Sequence, residues 1–474
     1  MEDLPHHLIL DILSRLDTPS LARTRLVSKT LNCLSRQVTS VSLHWTVPKY
    51  LSHLHSPRGL NLTPFKSALK AIVLSTPRVQ RVAYGMDCSI GPEGFGDYDE
   101  AEDGDDMYMT DDGFVGDWVW RVRDDLRVLK VADFWVQSCW RKSEILPLLS
   151  WSCHNLCELE LKSTWLSVEG LVPIPSLTSL TLDFVRLDDE NLNSISTCFP
   201  SLQVLNLCGV GGLQEPKIEL AHLKICQCSV SNVPQSLEII APNLVRLKLQ
   251  CQKPKCLILE TPMLSEFDFS IVQPDHFEVK SLVNLRSLRI ESPLLGNVVS
   301  CFSTCKNVEK LVLDARSRED DGEALDVSLE TLFESFPNLG SLTVGPRAWS
   351  VYMSSYEAGG SEGNIKLDCP KQLTACIPLS EVDKALQVIA SVLNKYNSLS
   401  DMTILVHLRV DLSQLNELMS TCTAQWPSVR WKCGMYKEVG TGSATSDAWE
   451  VAWKKQVFRG TTVTLLVNDA QHPN

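Results

Sequence analysis

From Leu8 to Leu16 the apolar positions Leu8, Ile9, Ile12, Leu13 and Leu16 recur at three- and four-residue steps, the spacing of one dry face on a helix. Asp17-Thr18-Pro19 stops that pattern and starts a second helix. Thr18 is the predicted N-cap and Pro19 the first helical residue, because proline has no N–H to lose there and its φ is already helical. A third helix follows Ser28 and carries Leu31 and Leu34. Three short helices bury little surface, and pieces of that size usually need a staple, a metal or a partner to stay folded. So many leucines in so short a stretch therefore predict a partner that covers them.

The pattern then changes. From Leu156 the frame L-x-x-L-x-L returns at Leu177, Leu202, Leu223, Leu244, Leu264, Leu285 and Val308, in steps of 21, 25, 21, 21, 20, 21 and 23 residues. Periods of this length mark a solenoid. DLRVLKV at Leu126 and PNLGSLTV at Leu339 extend the series both ways, and 78–84 reads as a weaker earlier copy. In the second half of each frame apolar and polar residues alternate, as in a short strand with one buried face. Stacked copies form a parallel sheet with leucines inside, and return segments broken by Pro, Asn and Ser supply the opposite wall. No copy covers its own apolar face, so the array stands only by stacking.

After Gly345 the frame lapses. Val382, Ala385, Leu386, Ile389, Val392 and Leu393 predict an amphipathic helix, 399–406 a strand, and Leu412, Leu415 and Leu418 another helix. Trp431 and 463–467 are strand material, and Trp426, Trp431, Trp449 and Trp453 are expected to pack against the end of the repeats. The predicted division is 1–45 for the helices, 46–125 for a linker and irregular first repeats, 126–345 for regular repeats and 346–474 for an α/β cap.

Composition narrows the function. With 44% hydrophobic and 21% charged residues over 474 positions the chain folds, and a net charge of −13 argues against nucleic acid as the main partner, since phosphates are held by clustered Lys and Arg. Seventeen scattered cysteines and a start, MEDLPHH, without a basic and apolar leader predict reduced thiols in cytosol or nucleus. The longest uncharged run, 191–214, is rich in Asn, Ser, Thr and Gln, so no membrane span is expected. The stretch 91–117 holds eleven acids and no Lys or Arg, which predicts a solvated, disordered loop. It lacks calcium-loop spacing, and Gly91, Gly94 and Gly96 lack the strand-then-helix setting of a phosphate cradle. The close pairs Cys153/Cys157, Cys226/Cys228, Cys251/Cys256 and Cys301/Cys305 have no CxxC spacing and read as structural rather than metal ligands. No nucleophile elbow, P-loop, HExxH or kinase signature is present, so neither catalysis nor a cofactor is expected.

Leu4-Pro5, Leu8-Ile9, Ile12-Leu13-Ser14-Arg15-Leu16, Leu21 and Arg25-Leu26-Val27-Ser28-Lys29 fall in the order and spacing of a known family, and this stretch resembles the F-box. The resemblance implies docking onto an SKP-family linker protein, and through it a cullin–RING ubiquitin ligase. It also implies that Leu4, Pro5, Leu8, Ile9, Ile12, Leu13, Leu16, Leu26 and Val27 form or support the docking face. Leu31 stands where Trp is frequent, and His6-His7 where acids are common. The frames from 126 to 344 resemble leucine-rich repeats, although the family's Asn or Cys three residues after the third leucine is replaced by Thr164, Val185, Val210 and Gln252. The expected fold is thus α/β: a three-helix F-box, then a leucine-rich-repeat solenoid with its parallel sheet on the concave face, then an α/β cap.

The polar residues flanking the central leucine of each frame must point away from the core. They include Glu158 and Glu160, Arg246 and Lys248, Glu266 and Asp268, Ser287 and Arg289, and Lys310 with Val312. Arg246, Lys248, Glu266, Asp268, Arg289 and Lys310 are the candidate contacts for a client protein of complementary charge. The expected function is substrate recognition within a ubiquitin ligase that binds neither nucleic acid nor membrane. The alternatives are a repeat scaffold outside any ligase and a small-ligand receptor of the same class.

Overall fold

Three helices open the chain, α1 (His6–Ser14), α2 (Thr18–Thr24) and α3 (Lys29–Ser35). The structure, a computed structural model, describes residues 4–46, 64–87, 108–134, 141–272, 274–280, 282–315, 329–349, 370–377, 382–395, 399–438 and 449–452. The third helix follows Ser28 as expected, and Ser28 caps it, its hydroxyl accepting from the Leu31 amide at 3.1 Å. The cap of α2 is Asp17 rather than Thr18: the Asp17 carboxylate accepts from the Ser20 amide at 2.9 Å. A carboxylate competes well for this place because it also meets the positive end of the helix dipole. The Thr18 hydroxyl is thereby left to accept from the Ser42 amide at 2.9 Å, which ties the helices to the first strand.

The chain divides into two units, Met1–Leu244 and Val245–Asn474. In the first, Ser40–Thr46, Arg81–Asp87, Val128–Ala132, Glu158–Lys162, Ser179–Asp183, Val204–Val210 and Ile225–Val230 lie side by side in sequence order, all parallel. Each repeat strand begins two residues after the first leucine of its frame, and Leu129, Leu159, Leu161, Leu180, Leu182, Leu205 and Leu207 are all buried. Ser40–Thr46 lacks the leucine frame and was not foreseen. The acidic stretch is not loop throughout: Asp111 caps a helix, Asp112–Val122, whose Phe114, Val115, Trp118, Val119 and Val122 are buried. Apolar spacing outweighs local charge there, because Asp111 and Asp112 fall at the cap and first turn, where they suit the dipole, and Asp117 pairs with Lys70 at 2.6 Å. Residues 91–107 lie outside the described residues.

In the second unit Arg246–Cys251, Glu266–Ile271, Ser287–Glu291, Lys310–Asp314, Ser341–Val344, Gln372–Cys376, Asp401–His407 and Arg430–Glu438 are parallel neighbours, and Trp449–Ala452 joins antiparallel. The sheet runs on where the leucine frame lapses after Gly345. Ser341 pairs with Gln372, Gln372 with Asp401 and Asp401 with Arg430 in unbroken register. Leucine gives way to Ala375, Met402, Ile404, Trp431 and Cys433 at inward places, so the alternation persists while its signature letters vanish. The helices Val382–Lys395 and Leu412–Gln425 form where expected. Strand material expected at 463–467 and the position of Trp453 lie outside the described residues.

Two features were absent from the expectation. The return segments carry short parallel strands, Lys217–Glu219 with Ser236–Ile240 in the first unit and Cys256–Glu260 with His276–Val279 in the second. An asparagine ladder also exists, but one residue before the first leucine of the frame. Asn155, Asn243, Asn284, Asn307 and Asn338 each donate to a main-chain carbonyl of the preceding repeat, those of Asp124, Ala221, Pro262, Val283 and Lys306, at 3.0, 2.7, 2.8, 2.8 and 2.9 Å. These exposed rungs are worth about 1 kcal/mol each, so Asn307→Ala is expected to lower the denaturant midpoint modestly without changing secondary structure by circular dichroism.

Candidate protein-docking faces

Residues four apart share a helix face, and α1 uses this to separate two sets of apolar side chains. Ile9 and Leu13, 7% and 3% exposed, join Leu21, Leu34 and Val38 in a core against which Leu10, Leu16 and Leu31 pack. Leu4, Leu8 and Ile12 face solvent. The turn between α2 and α3 is held by Leu26 N–H to Arg23 O at 3.1 Å and Val27 N–H to Thr24 O at 3.1 Å, and Arg25 Nε donates to Ser35 Oγ at 3.1 Å. That fastened turn presents Leu26 at 88% and Val27 at 73% exposure. Of the predicted docking residues, Leu4, Pro5, Leu8, Ile12, Leu26 and Val27 are thus at the surface, while Ile9, Leu13 and the half-buried Leu16 support them from within.

The outward faces of the two sheets differ in charge. In the first unit acid and base cancel locally: Lys130 Nζ lies 2.8 Å from both Glu158 and Glu160, and Lys162 lies 3.1 Å from Asp183. In the second, register aligns Arg246 with Glu266, Lys248 with Asp268, Asp268 with Arg289, and Ser287 with Lys310. Arg246 Nε reaches Glu266 at 2.7 Å, and that hydrogen bond lowers the Glu266 pKa. Arg289 Nε stands 3.9 Å from Asp268. All six predicted client residues therefore share one face. Arg430 and Lys432, 3.3 and 3.9 Å from Asp401, belong to the same face and were missed because they follow the lapse of the leucine frame.

A buried polar knot in the first unit was also missed. Asp133 accepts from the Met109, Thr110 and Phe134 amides at 2.9, 3.2 and 3.0 Å and from the Thr110 hydroxyl at 2.6 Å. The Tyr84 hydroxyl donates to Met109 O at 3.0 Å and the Ser143 hydroxyl to Thr110 O at 2.9 Å. Nothing in the sequence separates this aspartate from its surface kin. Burial raises the Asp133 pKa to about 6 against the opposing pull of its hydrogen bonds. A carboxyl whose pKa is higher folded than unfolded favours the fold most at low pH, and that contribution is lost as pH rises through about 6. Wild type should therefore lose stability between pH 5 and 7 by about 1 kcal/mol more than Asp133→Asn does, as urea midpoints at the two pH values will show.

Among the described residues no helix is long and apolar enough to cross a membrane, no three metal-ligating side chains gather, and the described cysteines are free thiols. Residues 1–41 match the F-box domain. An F-box/LRR-repeat protein of Arabidopsis thaliana is 42% identical over 445 residues, covering 93% of this chain and 99% of that protein. The chain belongs to the F-box/LRR-repeat proteins.

Proposed function

We propose that this chain is the substrate-recognition subunit of an SCF-type ubiquitin ligase, working in cytosol or nucleus. Its F-box docks an SKP-family linker and, through that linker, a cullin–RING assembly. The outward sheet faces hold a client protein. The chain performs no chemistry itself: holding client and charged ubiquitin carrier in one assembly replaces a bimolecular encounter with a local one. The observation that carries this reading is the cluster of apolar side chains left in water by a segment that matches the F-box domain, with Leu26 and Val27 the most exposed. A surface so apolar on so small a helical unit fits a permanent partner.

The test is co-expression of the full chain with an SKP-family linker, followed by size-exclusion chromatography. A stable complex at equal stoichiometry supports the reading. Failure of the two chains to co-elute, with the F-box/LRR chain itself folded, rejects it.

A further inference from the structure

We infer that the outward face of the second unit receives an extended, carboxylate-rich segment of the client; the word client rests on the adaptor reading above, the binding surface does not. The argument is one of charge against context. The whole chain carries −13, yet on this face Arg246, Lys248, Arg289, Lys310, Arg430 and Lys432 stand against the carboxylates of Glu266, Asp268 and Asp401. The acids are already engaged: Glu266 by Arg246, Asp268 by Arg289, and Asp401 by both Arg430 and Lys432. Two further acids, Glu291 and Asp314, are buried at the far edge; Asp314 Oδ1 accepts from the amides of Ala315, Arg347 and Ala348, while its buried Oδ2 has no hydrogen-bond partner among the described residues. The unbalanced positive charge is therefore local: Arg430 and Lys432 share the one carboxylate of Asp401, and Lys310 stands outside these pairs.

Its distribution gives the ligand a length. Lys310 forms no salt bridge among the described residues, and its charge acts on Glu266, which Arg246 already binds. The register runs Lys310, Ser341, Gln372, Asp401, Arg430, and beside it Thr343, Thr374, Thr403 and Lys432. Between the two basic ends lies a lane of hydroxyl and amide groups without a free acid. Four strand spacings at about 4.8 Å separate Lys310 from Arg430 by about 19 Å, which an extended peptide crosses in about six residues. Polar side chains in the lane supply hydrogen-bond partners to peptide main chain, and the ends anchor acidic side chains. The first unit, whose outward charges cancel, offers no such imbalance.

Fluorescence anisotropy with the full-length protein tests this. The probe is a labelled peptide of Glu and Asp separated by Ser and Gly; a Lys-for-acid peptide and a single-stranded oligonucleotide of equal charge are the competitors. The acidic peptide is expected to bind in a salt-sensitive manner, Lys310→Glu and Arg430→Glu each to weaken it about tenfold, and Lys224→Glu, on the first unit, to leave it unchanged. Equal binding of the lysine peptide, equal displacement by the oligonucleotide, or indifference to both substitutions overturns the inference. Linker capture is read in parallel. Loss of peptide binding with capture intact removes this inference alone, whereas peptide binding without capture removes the ligase reading and leaves the face standing.

Discussion

Replacing Leu26 and Val27 together by aspartate is expected to reduce linker capture about a hundredfold or more while leaving thermal unfolding almost unmoved. The two effects separate because the side chains touch so little of their own fold, at 88% and 73% exposure. Surface changes of that kind stay within about 0.5 kcal/mol in stability. At an apolar interface a buried carboxylate has no partner, and losing a central contact costs about 2 kcal/mol or more before the charge is counted. Ile9→Ala and Leu13→Ala provide the contrast. They hollow the small core that includes Leu21, Leu34 and Val38, should cost about 2 to 5 kcal/mol, and should lower capture only in step with unfolding of the helices. Biolayer interferometry beside a melting curve distinguishes the two classes. Capture by the double aspartate variant at wild-type strength would remove the turn from the docking face.

What was legible in the sequence followed the strength of the periodic signal. The leucine frames placed strands from Val128–Ala132 to Ser341–Val344 because most inward positions take leucine at a fixed spacing. The same sheet continues through Gln372–Cys376, Asp401–His407 and Arg430–Glu438, where sheet register imposes alternation but not leucine; the strands at 399–406 and around Trp431 were legible as strands, but their membership of the repeat sheet was not. One position, seven residues after the first leucine in three frames, tells a similar story. Ser163, Phe184 and Gly209 occupy equivalent places with φ of 55°, 50° and 62°, and only the glycine announces a left-handed conformation. Helix amphipathicity gathered the apolar positions of the first helix but could not sort them. Which of Leu8, Ile9, Ile12 and Leu13 turns inward depends on where Leu34 and Val38 arrive, a long-range fact. Asp133 was beyond reach for the same reason, since its partners Met109 and Thr110 lie 24 and 23 positions away.

Phe302→Ala is expected to open the second unit without disturbing linker capture. In the frame that begins at Leu264, phenylalanine replaces leucine at both inward strand positions, Phe267 and Phe269, and their rings meet Phe277 and Phe302 from the return segments. Phe302, at the C-terminal end of the helix Leu295–Cys301, packs edge-on against Phe267 at 5.7 Å, Phe269 at 5.4 Å and Phe277 at 5.5 Å between ring centroids. Removing it leaves a void that three rigid rings cannot close, at a cost of about 3 to 5 kcal/mol, with lost ring contacts inside that figure. In a stacked array each repeat is held by its neighbours, so the loss is shared by Ser287–Glu291 and Glu266–Ile271 rather than by the chain as a whole. Hydrogen exchange should show those two strands losing amide protection while α1, α2 and α3 keep theirs. Phe302→Leu should recover most of the protection, because leucine refills much of the volume although it cannot restore the edge-on contacts. Uniform loss of protection through Met1–Leu244 in the alanine variant would contradict nearest-neighbour coupling and show the whole chain to unfold as one.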